Sequence, residues 1–197
     1  MKYRHLEVWS ITLALLLLAP ASAMAHPEGG TVSGLFAGLS HPLLGADHLL
    51  AMIAVGFLAA QLGGRALWAT PAAFIVMLLL GGACGIANLA IPYIEAGILS
   101  SVLILGLLIA AAVRMPVVLS AAIVGIFALF HGYAHGVEMP LASGGVAYSL
   151  GFALTTALLH GIGILLGLHA KCLSSALPVT RLTGLAIASA AAWLAVA

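Results

Sequence analysis

Two short stretches hold most of the residues in this chain that could do chemistry. Of the seven Asp, Glu and His residues between positions 40 and 140, six lie in His41-Pro-Leu-Leu-Gly-Ala-Asp47-His48 and His131-Gly-Tyr-Ala-His135-Gly-Val-Glu138. Imidazole with carboxylate suits a divalent ion such as zinc, nickel or cobalt, and the lack of nearby thiolates argues against copper(I) or an iron–sulfur cluster. His135 follows His131 by four positions and Glu138 follows by three more, so a helix would carry all three on one stripe. His41 and His48 are seven positions apart, about 10 Å on a regular helix, too far to share one ion alone. Pro42 and Gly45 offer a break, which would let His41 fold back toward Asp47 and His48. Asp47 then has two chemical roles open, as a direct ligand or as the acceptor that orients an imidazole. The bland alternative is that Asp47 caps a half-helix and His48 is a satisfied core residue.

Outside these stretches His160 sits deep in an apolar run, with Gly161 and Gly163 beside it. It reads as a lower ligand, a relay, or a histidine bonded to a neighbouring helix. His26 would offer an amine and an imidazole at a free N-terminus, suited to capturing an ion. Met52, Met139 and the other methionines read as packing rather than as soft ligands.

The elements that position these residues follow from composition. Hydrophobic residues make up 64% of the 197 positions and charged ones 6%, against about 25% charged in a soluble domain. Six apolar segments, near 33–62, 66–90, 94–113, 116–137, 145–169 and 179–196, are long enough to be membrane-spanning helices. The expected fold is therefore an all-α, polytopic membrane protein with six transmembrane helices. Small residues recur as Gly34-x-x-x-Gly38, Gly81-x-x-x-Gly85, Gly132-x-x-x-Gly136 and Gly163-x-x-x-Gly167, the spacing that lets helices approach closely.

Lys2 and Arg4, the apolar run Ile11 to Leu18 and Ala23-Met24-Ala25 together have the form of a secretory signal peptide over 1–25, leaving one domain over 26–197. With the mature N-terminus and C-terminus periplasmic, Arg65, Arg114, Lys171 and Arg181 all fall on the cytoplasmic side, as the positive-inside rule demands. Both histidine stretches then open toward the periplasm from a bacterial inner membrane. Cys84 and Cys172 are placed at opposite faces and form no disulfide framework. The net charge of +1 comes from scattered residues, so no nucleic-acid partner is expected. Membrane lipid is the surrounding partner, and a homo-oligomer is left open.

The two stretches resemble the signatures of the HupE/UreJ family. His41 to His48 matches His-x5-Asp-His, and Phe130 to Glu138 matches Phe-His-Gly-x-Ala-x-Gly-x-Glu. The resemblance covers the whole chain and implies an accessory nickel permease of hydrogenase or urease maturation, working by facilitated diffusion. It carries ligand roles onto His41, Asp47, His48, His131 and Glu138, while His135 occupies a variable position of the second signature. Nickel or cobalt would be cargo, with no prosthetic group and no enzymatic activity. The alternative class is an intramembrane metal-dependent hydrolase, whose metal would activate a water, although the chain lacks His-Glu-x-x-His.

Overall fold

The computed structural model describes residues 34–139, 144–173 and 176–196, and all regular structure among them is helical. The segment expected to be a signal peptide lies outside the described residues. The elements are α1 (Gly34–Ser40), a 3-10 turn (His41–Leu43), α2 (Ala46–Leu62), α3 (Ala66–Ile86), α4 (Ile94–Ala110), α5 (Val117–Glu138), α6 (Gly145–Cys172) and α7 (Ala176–Leu194).

Helices α3, α5 and α6 are each long and apolar enough to cross a bilayer, and α1 with α2 makes a fourth crossing if the bent pair is one span. Helix α4 is apolar but shorter, at 17 residues. A count of six crossings needs α4 and α7 as well. Large apolar side chains on the outside, among them Val118, Leu150, Leu165 and Trp68, are more than half exposed. A continuous apolar exterior of this kind is matched to lipid rather than to water, and the chain is a membrane protein.

Helix α2 occupies the centre. Ala51, Met52, Ala54, Val55, Leu58, Ala59 and Ala60 are all fully buried, as expected of a helix that is apolar all round and enclosed by others. It packs most extensively against α6 and also meets α3 and α4, while α3 packs against α5 and α4 against α7.

Glycine permits these close crossings because in lipid the helices associate through packing rather than through expulsion of water. A Cβ at Gly132 would strike the Leu78 carbonyl, one at Gly163 the Ile53 carbonyl, and one at Gly56 the His160 carbonyl. Three of the four expected small-residue pairs have both members in such contacts, and the fourth contributes Gly38 against α6. Met52 is a core residue, as its packing reading expected. Cys84 and Cys172 are free thiols.

Candidate metal centre

The break between α1 and α2 builds one side of the site. Pro42 has no N–H to continue the α1 ladder, and the chain tightens into a 3-10 turn closed by the Leu44 N–H donating to the His41 carbonyl at 3.1 Å. Gly45 then adopts extended backbone at φ −102° and ψ 120°, and α2 starts afresh, 81° away in direction. The broken ladder frees carbonyls that lipid cannot satisfy. Thr155 on α6 donates its hydroxyl to one of them, Leu39 O, at 2.8 Å. Of the two conformations open to this segment in the sequence, the broken one is adopted.

Breaking the helix returns His41 to the site. Its Nε2 lies 3.2 Å from Glu138 Oε2, and its ring centroid lies 4.7 Å from that of His135. His41, His135 and Glu138 offer ligand atoms that all lie within 4.8 Å of one another. This group forms the accessible rim, with the Glu138 side chain 57% exposed and that of His41 25% exposed. Tyr148 and Phe152 of α6 stand beside the His41 ring, and Phe152 also lies 4.2 Å from the His135 ring.

One layer further in, the first turn of α2 supplies Asp47 and His48. Asp47 suits a helix N-terminus, where the backbone dipole favours an anion. Its Oδ1 accepts the His48 backbone N–H at 2.7 Å and stands 2.7 Å from His48 Nδ1. As a carboxylate it accepts the Nδ1 proton, which leaves the His48 Nε2 lone pair free. This contact is the geometry of an acceptor that orients an imidazole. The His48 ring lies 4.6 Å from that of His131 and 4.2 Å from that of His135.

The four histidines therefore form a chain of ring contacts, His41 to His135 to His48 to His131, running from the half-exposed rim to a fully buried end. His135 is its hub, although the second signature treats that position as variable. Three residues of the two stretches lie on one stripe of α5, as their spacing required. His160 is not in this chain of rings. It is fully buried on α6, separated from the cluster by Phe74, whose ring lies 5.0 Å from His160 and 5.9 Å from His131. His26 lies outside the described residues.

Six ring nitrogens are buried without a hydrogen-bond partner among the described residues: His48 Nε2, His131 Nδ1, and both nitrogens of His135 and of His160. A buried unsatisfied polar group typically costs about 1–3 kcal/mol, so the four on His48, His131 and His135, which adjoin one another in the chain of rings, are expensive unless something uses their lone pairs. Neutral imidazole nitrogens and carboxylate oxygens are the donors that first-row divalent metals take.

Two supporting groups escaped the sequence reading, Thr155 at the helix break and Ser101 on α4, which lies 2.8 Å from His131. The one signal available was that a hydroxyl within an apolar helix needs a partner; it does not say which.

The family model described as HupE / UreJ protein matches residues 13–194 of this chain. The curated protein named Protein HupE from Rhizobium leguminosarum bv. viciae is 45% identical over 197 residues, which cover 100% of this chain and 100% of that protein. No solved structure matches.

Proposed function

The chain belongs to the HupE/UreJ family, and on that premise we propose that it is a nickel permease of the bacterial inner membrane that also accepts cobalt. The observation that carries this reading is the chain of imidazoles with bare nitrogens, running from the exposed rim into the bundle.

In this reading the rim group His41, His135 and Glu138 takes the hydrated ion from the periplasm, its carboxylate compensating part of the positive charge. His135 then turns the ion toward His48 and His131, where the donors are neutral and the surroundings dry. A site that passes ions on must bind weakly enough to release them, and neighbouring imidazoles let the ion exchange one donor for the next. His160 is the next donor along the path, beyond Phe74. His26, at the mature N-terminus, is a capture ligand outside the membrane.

The full arrangement is a cleaved signal peptide over 1–25 and a six-span domain over 26–197 with both termini periplasmic, in accord with the positions of Arg65, Arg114, Lys171 and Arg181. Flux is by facilitated diffusion and supplies nickel for hydrogenase or urease maturation; the protein is not an enzyme. Purified protein in liposomes, given an inward nickel gradient and no other energy source, tests this. Labelled nickel enters faster than through protein-free liposomes, and His135→Ala lowers the rate by at least tenfold. Entry no faster than through bare lipid would refute the proposal.

A further inference from the structure

The geometry points to Ser101 as the residue that fixes which nitrogen of His131 meets the ion, a positioning role that rests on the permease reading above. Ser101 lies on α4 and is fully buried. Its Oγ stands 2.6 Å from the Ile98 carbonyl oxygen and 2.8 Å from His131 Nε2.

A serine hydroxyl has one proton to give, and a carbonyl oxygen has none. If Ser101 gave its proton to His131, the Oγ and Ile98 O lone pairs would face each other at 2.6 Å in a dry interior. The hydroxyl therefore donates to Ile98 O, and its own lone pair accepts from His131. Nε2 must then carry the imidazole proton. A neutral ring has only one such proton, so Nδ1 is left as a bare lone pair, and Nδ1 is the buried, unpartnered nitrogen.

This device mirrors the one on α2. Asp47 engages Nδ1 of His48 and frees Nε2, whereas Ser101 engages Nε2 of His131 and frees Nδ1. The two rings meet edge to face at 4.6 Å, each with one nitrogen tied to protein and one available. The partners differ in strength. A carboxylate on the far nitrogen raises the donor power of an imidazole more than a neutral hydroxyl does. His131 is thereby the weaker donor of the pair, and it is also the more deeply buried. Affinity decreases inward along the path, which favours release.

Nitrogen-15 NMR of histidine-labelled, metal-free protein in lipid nanodiscs tests the assignment without depending on transport. The His131 signal, identified by its loss in His131→Asn, shows the Nε2–H tautomer in the wild type and in Ser101→Thr, whose hydroxyl can make the same pair of bonds. In Ser101→Ala it becomes a mixture of the two tautomers. In liposomes the half-saturating nickel concentration of Ser101→Ala rises about tenfold, the scale for losing an outer partner of a ligating histidine, and Ser101→Thr restores it. A wild-type His131 protonated at Nδ1, or a tautomer unchanged in a folded Ser101→Ala, overturns the assignment. The expected tautomers in a protein that passes no nickel would support the Ser101 assignment while refuting the permease reading.

Discussion

Replacing Asp47 by Asn removes one charge while keeping an oxygen that can accept both His48 bonds. Those bonds, each 2.7 Å long, do different work. The backbone bond satisfies the His48 N–H in the first turn of α2 and is made with or without an ion. The ring bond matters most when an ion draws electron density from Nε2 and makes the Nδ1 proton more acidic. A hydrogen bond to an ionised group contributes about 1.5–3 kcal/mol and a neutral one about 0.5–1.5 kcal/mol, so the change to amide weakens the ring bond by about 1–1.5 kcal/mol. At about 1.4 kcal/mol per factor of ten, the half-saturating nickel concentration rises about five- to twelvefold, with the maximal rate little altered. Loss of the charge at the helix N-terminus removes a further 0.3–1 kcal/mol, roughly, of stability. Asp47→Ala leaves the Nδ1 proton without an acceptor and raises half-saturation by up to about a hundredfold. Nickel flux in liposomes across a range of concentrations reads both quantities. Complete loss of flux at saturating nickel in a folded Asp47→Asn protein would make Asp47 a ligand in its own right. Unchanged half-saturation would mean that His48 does not hold the ion through Nε2. Either result refutes the positioning argument.

Protons compete with metal for imidazole nitrogens and carboxylate oxygens, so flux measured from pH 8 to pH 5 shows half-saturation rising on the acid side. His160→Leu removes two unpartnered buried nitrogens; the melting temperature stays level or rises, because an apolar replacement lifts a desolvation penalty, while maximal flux falls several-fold with half-saturation little changed. Gly132→Ala would drive a Cβ into the Leu78 carbonyl and destabilise the α3–α5 crossing by about 1–3 kcal/mol, whereas Gly161→Ala, with open space around it, leaves the melting temperature level or raises it. Reporter fusions after Arg114 read cytoplasmic and those at Tyr93 periplasmic; the reverse pattern would invert the direction of entry.

Membrane class and helical character were legible in the sequence because they depend on sums over local segments: few charges, long apolar runs, and no way to satisfy a backbone in lipid except internally. The stripe of His131, His135 and Glu138 was equally legible, since helical periodicity places residues four and three apart on one face. So was the chance of a break at Pro42 and Gly45, from the missing N–H of proline. What periodicity cannot contain is which stripe faces which. That depended on glycine-mediated crossings between segments remote in sequence, such as Gly56 of α2 against α6 and Gly132 of α5 against α3. Those crossings place α2 at the centre, so that His48 meets both His131 and His135. The 81° bend then brings His41 to Glu138, 97 positions away. Ser101 illustrates the limit most plainly. Nothing local separates it from the neighbouring Ser100, and only the contact between α4 and α5 puts one of these two hydroxyls against a histidine nitrogen. Side-chain types are written in the chain, but the partner of a hydrogen bond is a property of distances across the bundle, which only tertiary packing decides.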